Sequence, residues 1–539
     1  ELNFFYQSIL EKTPRYPFVC IYGIGNALLI KNLAKHYKHL FVFESEIELF
    51  ILALSTIDLS EELKVYKVVL FDCVAKDLEI QIAMIFDQQS ILEYLSLYEM
   101  FISSHYYLKY YETSILSLNE LCIKSASVAI RNVDITCFLP LLTHGQFLQN
   151  IPSMLESIPF QRILSQRKNK FDNAIVVSAG PSLAKQLPLL KACQDKAVIF
   201  CADGALSMLE KEGIVPDYVT NLDFTDLAMK FFQNKENKTS LNILSCATHP
   251  NVAHSLKAEN CMIVLRNKAL YQRFNFNDFG YIDTGTHVSH FSYTLALALG
   301  FKNIIMIGQD LAFDEEGNSH SKGFDFGEKF SGEENIDKLK IPAYAGKGEV
   351  LTHTTWNDYR IKLEYLFACN DQKAKFYNAT EGGARINFTE ELSFKECCEK
   401  LLTKEKPKFE LPKSLTKNRS DKLLVKFKEK IQKDQENAKR FLDDALALKQ
   451  ILENILSKDF ILPLEFLEKV YQNIENFNHS LDEDEFIQDE VLRGAFAYRG
   501  KLISDVLKLH IKDETHFITA YIKAYHEWLL YFIEKLEQR

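Results

Sequence analysis

Between residues 172 and 310 one pattern recurs, and it constrains the fold of this 539-residue chain more than any other feature. A short apolar run ends abruptly on glycine, serine, threonine, histidine or aspartate, and a helical stretch follows. Ile175-Val-Val-Ser-Ala-Gly-Pro-Ser-Leu183 breaks on Gly180 and Pro181, with Ser182 placed to cap a helix. Ala197-Val-Ile-Phe-Cys-Ala-Asp203-Gly204 ends in an acid and a glycine, and Pro216-Asp-Tyr-Val-Thr-Asn-Leu-Asp223 ends likewise. The run 241–245 leads into Ala247-Thr248-His249-Pro250. Thr284-Gly285-Thr286-His287-Val288-Ser289 then opens a helix through Leu299 and Gly300, and the strand 303–307 ends in Gly308-Gln309-Asp310. Alternating strands and helices predict a parallel, doubly wound sheet, which binds ligands beyond the carboxyl ends of its strands. One polar strand end is ordinarily a turn. Five or six on one edge predict a nucleotide-type site.

The same order opens the chain. Phe18-Val-Cys-Ile-Tyr22 reads as a buried strand, Gly23-Ile-Gly25-Asn26 as its turn and 27–37 as an amphipathic helix. Leu40-Phe-Val-Phe-Glu44 is a second strand ending in an acid, and Lys67-Val-Val-Leu-Phe-Asp72 a third. This is the layout of a glycine-rich turn and ribose-binding acid, although Leu28 stands where a third glycine would be. A nucleotide site and a scaffold kept for docking both remain open here. Residues 91–160 turn helical and aromatic, with Tyr106, Tyr107, Tyr110 and Tyr111 as an expected core stripe.

Past Asp310, residues 311–353 carry Gly317, Gly323, Gly327, Gly332, Gly346 and Gly348 with little periodicity. A long loop after a site-bearing strand predicts a mobile lid. A helix with Ile361, Tyr365 and Leu366 on one side follows, then a strand 375–378 ending in Ala379-Thr-Glu-Gly-Gly383. Pro407 and Pro412 in a lysine-rich run mark a linker, and beyond about Asp421 only helical periodicity remains, as in Leu529, Phe532, Ile533 and Leu536. The expected fold is α/β: a Rossmann-like domain with helical connection over 1–150, a central domain over 151–405, and an all-α domain over 406–539.

With 47% hydrophobic residues, 40 Phe and 24 Tyr, the chain has material for several cores. Its net charge of -10 argues against nucleic acid as a partner. No apolar run reaches the length of about 18 residues needed for a membrane span. The visible start, Glu1, has no signal-peptide layout. The 11 cysteines are scattered without CxxC or Cys/His zinc spacing, which predicts reduced thiols in a cytoplasmic protein without structural metal.

Ser178-Ala-Gly-Pro-Ser-Leu183, Ala202-Asp-Gly204, Pro216 through Asp223, Leu299 through Gly308-Gln-Asp-Leu-Ala312 and Asn378-Ala-Thr-Glu-Gly-Gly-Ala384 together resemble the motility accessory factor (Maf) family. These are bacterial flagellin glycosyltransferases, and the resemblance implies transfer of pseudaminic or legionaminic acid from a CMP-activated donor to Ser/Thr of flagellin. The central domain is also similar to bacterial sialyltransferases that use CMP-sialic acid. Gly180-Pro181-Ser182 stands at their nucleotide-binding turn, and His287-Val-Ser289 where they carry Thr-Ser-Gly. Their catalytic histidine lies after the Gly-x-Asp strand, where this chain has His320 and His353.

Such a transfer needs donors for the departing phosphate, a base for the acceptor hydroxyl and an anchor for the sugar carboxylate. Backbone N–H groups at Gly180–Ser182 and the hydroxyls of Thr284, Thr286 and Ser289 suit the first, with Gly285, Gln309 and Asp310 shaping the site. A histidine with pKa near neutrality suits the second, His320 first and His353 second. His249 and His287 could instead contact phosphate. Asp203 and Asp223, expected at the donor-binding strand ends, admit another reading, since Ala-Asp-Gly, Pro-Asp and a strand-end Asp also resemble pterin and thiamin pyrophosphokinases, which use ATP and Mg²⁺. Asp223 and Asp226 would be the metal pair if a divalent ion is needed; the sialyltransferase resemblance implies none. A third reading is a non-catalytic flagellin-binding chaperone.

Overall fold

The computed structural model describes residues 2–232, 240–330, 337–458, 460 and 462–539. The chain divides into two compact units, residues 1–141 with 433–539, and residues 142–432.

In the first unit β1 (Phe18–Tyr22), β2 (His39–Glu44), β3 (Val68–Asp72) and β4 (Met100–Ile102) form a parallel sheet in the order β3-β2-β1-β4. Every residue of β1 is buried, as a strand covered on both faces requires. Side chains alternate between two cores. Phe18, Cys20 and Tyr22 pack with Phe41, Phe43, Phe71 and the helix Glu112–Arg131. Val19 and Ile21 share a core with Leu448, Ile474, Trp528 and Phe532 of the C-terminal helices.

The expected separate N- and C-terminal domains are therefore one unit. The helices Leu464–Asp482, Arg493–Leu507 and Glu514–Gln538 present apolar stripes that cannot be left in water, and the second face of the sheet needs a cover. A buried Arg499–Glu93 ion pair of 2.8 Å joins the two sequence regions. No strand occurs beyond residue 421 among the described residues. β4 falls in the stretch expected to be helical, three residues being too few for a periodicity signal.

The second unit holds β5 (Asn173–Val177), β6 (Val198–Ala202), β7 (Tyr218–Asn221), β8 (Leu241–Ser245), β9 (Cys261–Arg266), β10 (Tyr281–Ile282) and β11 (Asn303–Ile307). An antiparallel hairpin of β12 (Lys338–Pro342) and β13 (Glu349–His353) follows, then β14 (Lys375–Asn378) and β15 (Glu390–Glu391). Nine of these make a wholly parallel sheet in the order β10-β9-β8-β7-β6-β5-β11-β14-β15. The chain steps outward from β5 to β10, returns through the helix Val288–Leu299 and inserts β11 on the other side of β5. The strand order thus reverses between β5 and β11, where such sheets open a crevice. Gly300, left-handed at φ 81°, ends the returning helix.

Residues 311–353 are not structureless. Ala312, Phe313 and Phe324 are buried, and the hairpin occupies the second half. Glycine turns interrupt the apolar spacing, which hid these elements from periodicity. Part of the expected lid, 331–336, lies outside the described residues.

Candidate active site at the β5/β11 switch point

Asp310, at the end of β11, organises the crevice. Its Oδ2 accepts the Ser182 hydroxyl at 2.7 Å and the Ser182 N–H at 3.2 Å. A Cβ on Gly180 would overlap that carboxylate and lie 2.5 Å from the Gly308 carbonyl; one on Gly383 would lie 2.5 Å from the Asp310 backbone. Glycine is needed at these positions because three chain segments close around one acid. Burial pushes the Asp310 carboxyl up to about 6, against the Ser182 hydrogen bonds and Lys185, which pull it down. Beside it, Gln309 Oε1 accepts from Ser178 Oγ at 2.9 Å and Tyr293 OH at 3.3 Å.

The turn expected to offer its N–H groups to phosphate spends them on the protein. Gly180 N donates to Gly308 O (2.8 Å), Ser182 N to Asp310, Leu183 N to Gly180 O (3.0 Å) and Ala184 N to Ser321 Oγ (3.1 Å), while Pro181 has none. In this structure the turn positions neighbouring residues.

Ser321 ties the next segment down, its N–H donating to Ala179 O at 2.9 Å. His320 therefore sits beside the turn, stacked on Phe324 at 3.9 Å. The Ser319 hydroxyl has one proton and carbonyl acceptors at Glu328 (2.9 Å) and Phe330 (2.5 Å). The 2.9 Å contact from His320 Nδ1 to Ser319 Oγ then has Nδ1 as donor, leaving the lone pair on Nε2. Burial lowers the ring to about 4, so the expected pKa near neutrality is not met; Phe324, Phe330 and Trp356 exclude the water that would solvate its cation.

His353, at the end of β13, is buried and packs 4.1 Å from the Trp356 ring, which lies 6.5 Å from His320. The two candidate bases flank one indole. Three residues along the same helix, Thr354–Ala368, Tyr359 stacks on His287 at 4.7 Å. That contact brings the 284–289 segment to the cluster. Thr284 and Ser289 are buried and Thr286 is exposed. Gly285 has φ 61°, its N–H bonded to Asp283, and a Cβ there would strike the His290 ring.

Asp203 ends β6 next to the crevice, accepting from Gly204 N (2.7 Å) and Asn221 Nδ2 (2.5 Å). Asp223 spends Oδ1 on the N–H and hydroxyl of Thr225 (2.8 and 2.9 Å). Asp226 begins a short 3₁₀ turn, and among the described residues no group of three or more His, Cys, Asp or Glu could hold a metal ion. His249 caps the helix Pro250–Ser255 through Nδ1. Ser321, Trp356, Tyr359 and His290 were missed by sequence reasoning, as were Gln146 and Asn150, which bind the backbone of Phe224, Cys246 and Thr248 at the ends of β7 and β8. Polar residues at helical spacing on the otherwise apolar stretch 146–155 were the one available signal.

In the first unit the Gly23–Gly25 turn is filled. Glu44 accepts from the N–H groups of Ile24 (2.9 Å), Ser45 (2.8 Å) and Glu46 (2.9 Å) and from Tyr107 OH (2.6 Å). Tyr107 OH also accepts Gly25 N–H at 3.2 Å, and a Cβ on Gly23 would fall inside its ring.

Residues 145–316 match a family model described as MptE-like, 6-hydroxymethylpterin diphosphokinase MptE-like. No curated protein matches the sequence. Among solved structures, the MAf glycosyltransferase from Magnetospirillum magneticum AMB-1 is similar at 16% identity and a TM-score of 0.56, covering 99% of this chain and 86% of that one. Over nearly its whole length the chain thus has the fold of a Maf glycosyltransferase, as the sequence motifs implied.

Proposed function

We propose that this chain is a glycosyltransferase that moves a nonulosonic acid, pseudaminic or legionaminic, from its CMP-activated donor to Ser/Thr hydroxyls of flagellin. The observation that carries the reading is the meeting, at one switch point, of the Ser178–Ser182 turn, Gln309–Asp310, both candidate histidines and the 284–289 segment, on a fold shared with a glycosyltransferase. The donor occupies the crevice, and Asp310 holds three backbone segments in register around it. His320, with its Nε2 lone pair, takes the acceptor proton, as a neutral base throughout the pH range above about 5. Its low basicity puts its contribution near the bottom of the range of about 10²–10⁴-fold for such groups. Trp356 keeps water from the activated sugar.

Co-expression with flagellin and a CMP-nonulosonate pathway, read as intact flagellin mass, tests the reading. Added mass with wild type, and at least about 10²-fold less with His320→Ala, is expected. Normal transfer by His320→Ala moves the base to His353; normal transfer by the double variant removes both. Absence of any added mass, with stabilisation by ATP and Mg²⁺ but not by CMP, would reject the transferase.

A further inference from the structure

His287 carries a buried hydrogen-bond donor for which the described residues supply no acceptor. Its Nδ1 accepts the His290 N–H at 3.3 Å and meets the Ser289 hydroxyl at 3.0 Å. The proton of the neutral ring therefore sits on Nε2. The ring is neutral: burial first, then His290 and Lys362, hold its pKa well below the ordinary value. Nε2 is nonetheless buried and makes no hydrogen bond among the described residues, and neither does Nδ1 of His290, a residue only 6% exposed. Buried polar atoms are rarely left so, and two side by side point to an absent partner.

The surroundings give that partner a sign. Both rings stand at the N-terminus of the 12-residue helix Val288–Leu299, where the helix dipole favours negative charge. Lys362 is half-buried, acts on both histidines and forms no ion pair among the described residues. Two carboxylates lie nearby, Asp283 and Asp358, but both are exposed to screening solvent, and Asp283 already accepts the Gly285 N–H. The Tyr359 ring closes one side. One helical turn away stands Trp356, between the two candidate bases.

We propose that His287, His290 and Lys362 form an oxyanion subsite for the anionic group borne on the anomeric carbon of the donor sugar, its carboxylate or its phosphodiester. This rests on the reading of the chain as a CMP-nonulosonate transferase, for that carbon must lie beside the base. The role joins residues of two segments, only one of which the strand-end pattern marked.

Calorimetric titration of the full chain with CMP, free N-acetylneuraminic acid and CMP-N-acetylneuraminic acid would test it, alongside the His287 Nε2–H resonance of ¹⁵N-labelled protein. Lys362→Met and His290→Phe are expected to weaken binding at least about tenfold, one power of ten per lost charge-assisted contact, and Lys362→Arg to retain most of it. A loss for the free sugar acid but not for CMP identifies the carboxylate; a loss for CMP identifies the phosphodiester. Wild-type affinity in both variants overturns the subsite. If none of the three probes binds, acetate and inorganic phosphate decide: a shifted Nε2–H resonance keeps the oxyanion subsite while the donor reading falls, and an unmoved one means a trapped water only.

Discussion

After β1 the chain turns on Gly23 and Gly25, and after β5 on Gly180 and Pro181; each turn opens on the carboxyl edge of a parallel sheet where strand order reverses. In the first, Glu44 takes three backbone N–H groups and Tyr107 lays its ring against the glycine. In the second, Asp310 takes one N–H and one hydroxyl, and His287 and His290 beyond it keep buried ring nitrogens without partners among the described residues. One turn is finished with the protein's own atoms and the other leaves chemistry unspent. Glycine-rich turns alone do not tell a scaffold from a site; what arrives from distant sequence decides.

The sharpest way to break this comparison is to add a methyl group to each turn. Gly23→Ala and Gly180→Ala should each cost about 3 kcal/mol or more, through overlap in both and left-handed backbone strain at Gly23. Tyr107→Ala should recover at least half of the first loss in a double-mutant cycle. Asp310→Ala should recover little of the second, because the Gly308 carbonyl still lies 2.5 Å from the new Cβ. Equal rescue by both partners would erase the distinction.

A second test uses pH. Asp310 holds its proton more tightly folded (about 6) than unfolded, so its stabilisation is full below about pH 4 and is lost as pH rises through 6. His320 is depressed to about 4, so its stabilisation is full above about pH 6.5 and is lost as pH falls toward 4. Each is worth up to about 3 kcal/mol, and the windows overlap with opposite sign. In denaturant unfolding from pH 4 to 7.5, stability relative to wild type should rise with pH for Asp310→Asn and fall with pH for His320→Phe. Curves parallel to wild type would show that neither burial has that strength.

Smaller effects sharpen the contrast. Tyr107→Phe removes the hydroxyl from Glu44 and Gly25 and should cost about 1–2 kcal/mol without changing the proposed transfer. A tenfold loss of transfer would mean that the first turn takes part in the reaction. Ser321→Ala should cost only about 1 kcal/mol, yet lower transfer several-fold, because it loosens the His320 segment from the turn. An unchanged rate would free that segment from the site.

Strand ends with glycine and acid suffice to put Gly180, Asp203, Gln309 and Asp310 on one edge, because parallel strands end together. The alternation of strands and helices likewise implies both sheets. Packing across hundreds of residues is not legible: nothing near Val19 and Ile21 announces Trp528 and Phe532 as their neighbours. Trp356 and Tyr359 read as ordinary helix residues, and only the return of that helix to the crevice sets them against His353, His320 and His287. The pKa of His320 departs from the expected neutrality because its aromatic enclosure is built by contacts that spacing does not reveal.

The ring of Tyr107 behaves as a ligand that can never leave. Tethered to its own turn, it is present at an effective concentration of about millimolar or more, and any nucleotide entering that turn would have to displace it. A nucleotide should therefore not stabilise the first unit through this turn, whereas a unit with an open crevice gains stability as its ligand accumulates. In a scan that resolves two transitions, the plugged half becomes a built-in thermometer against which donor binding by the other half can be read.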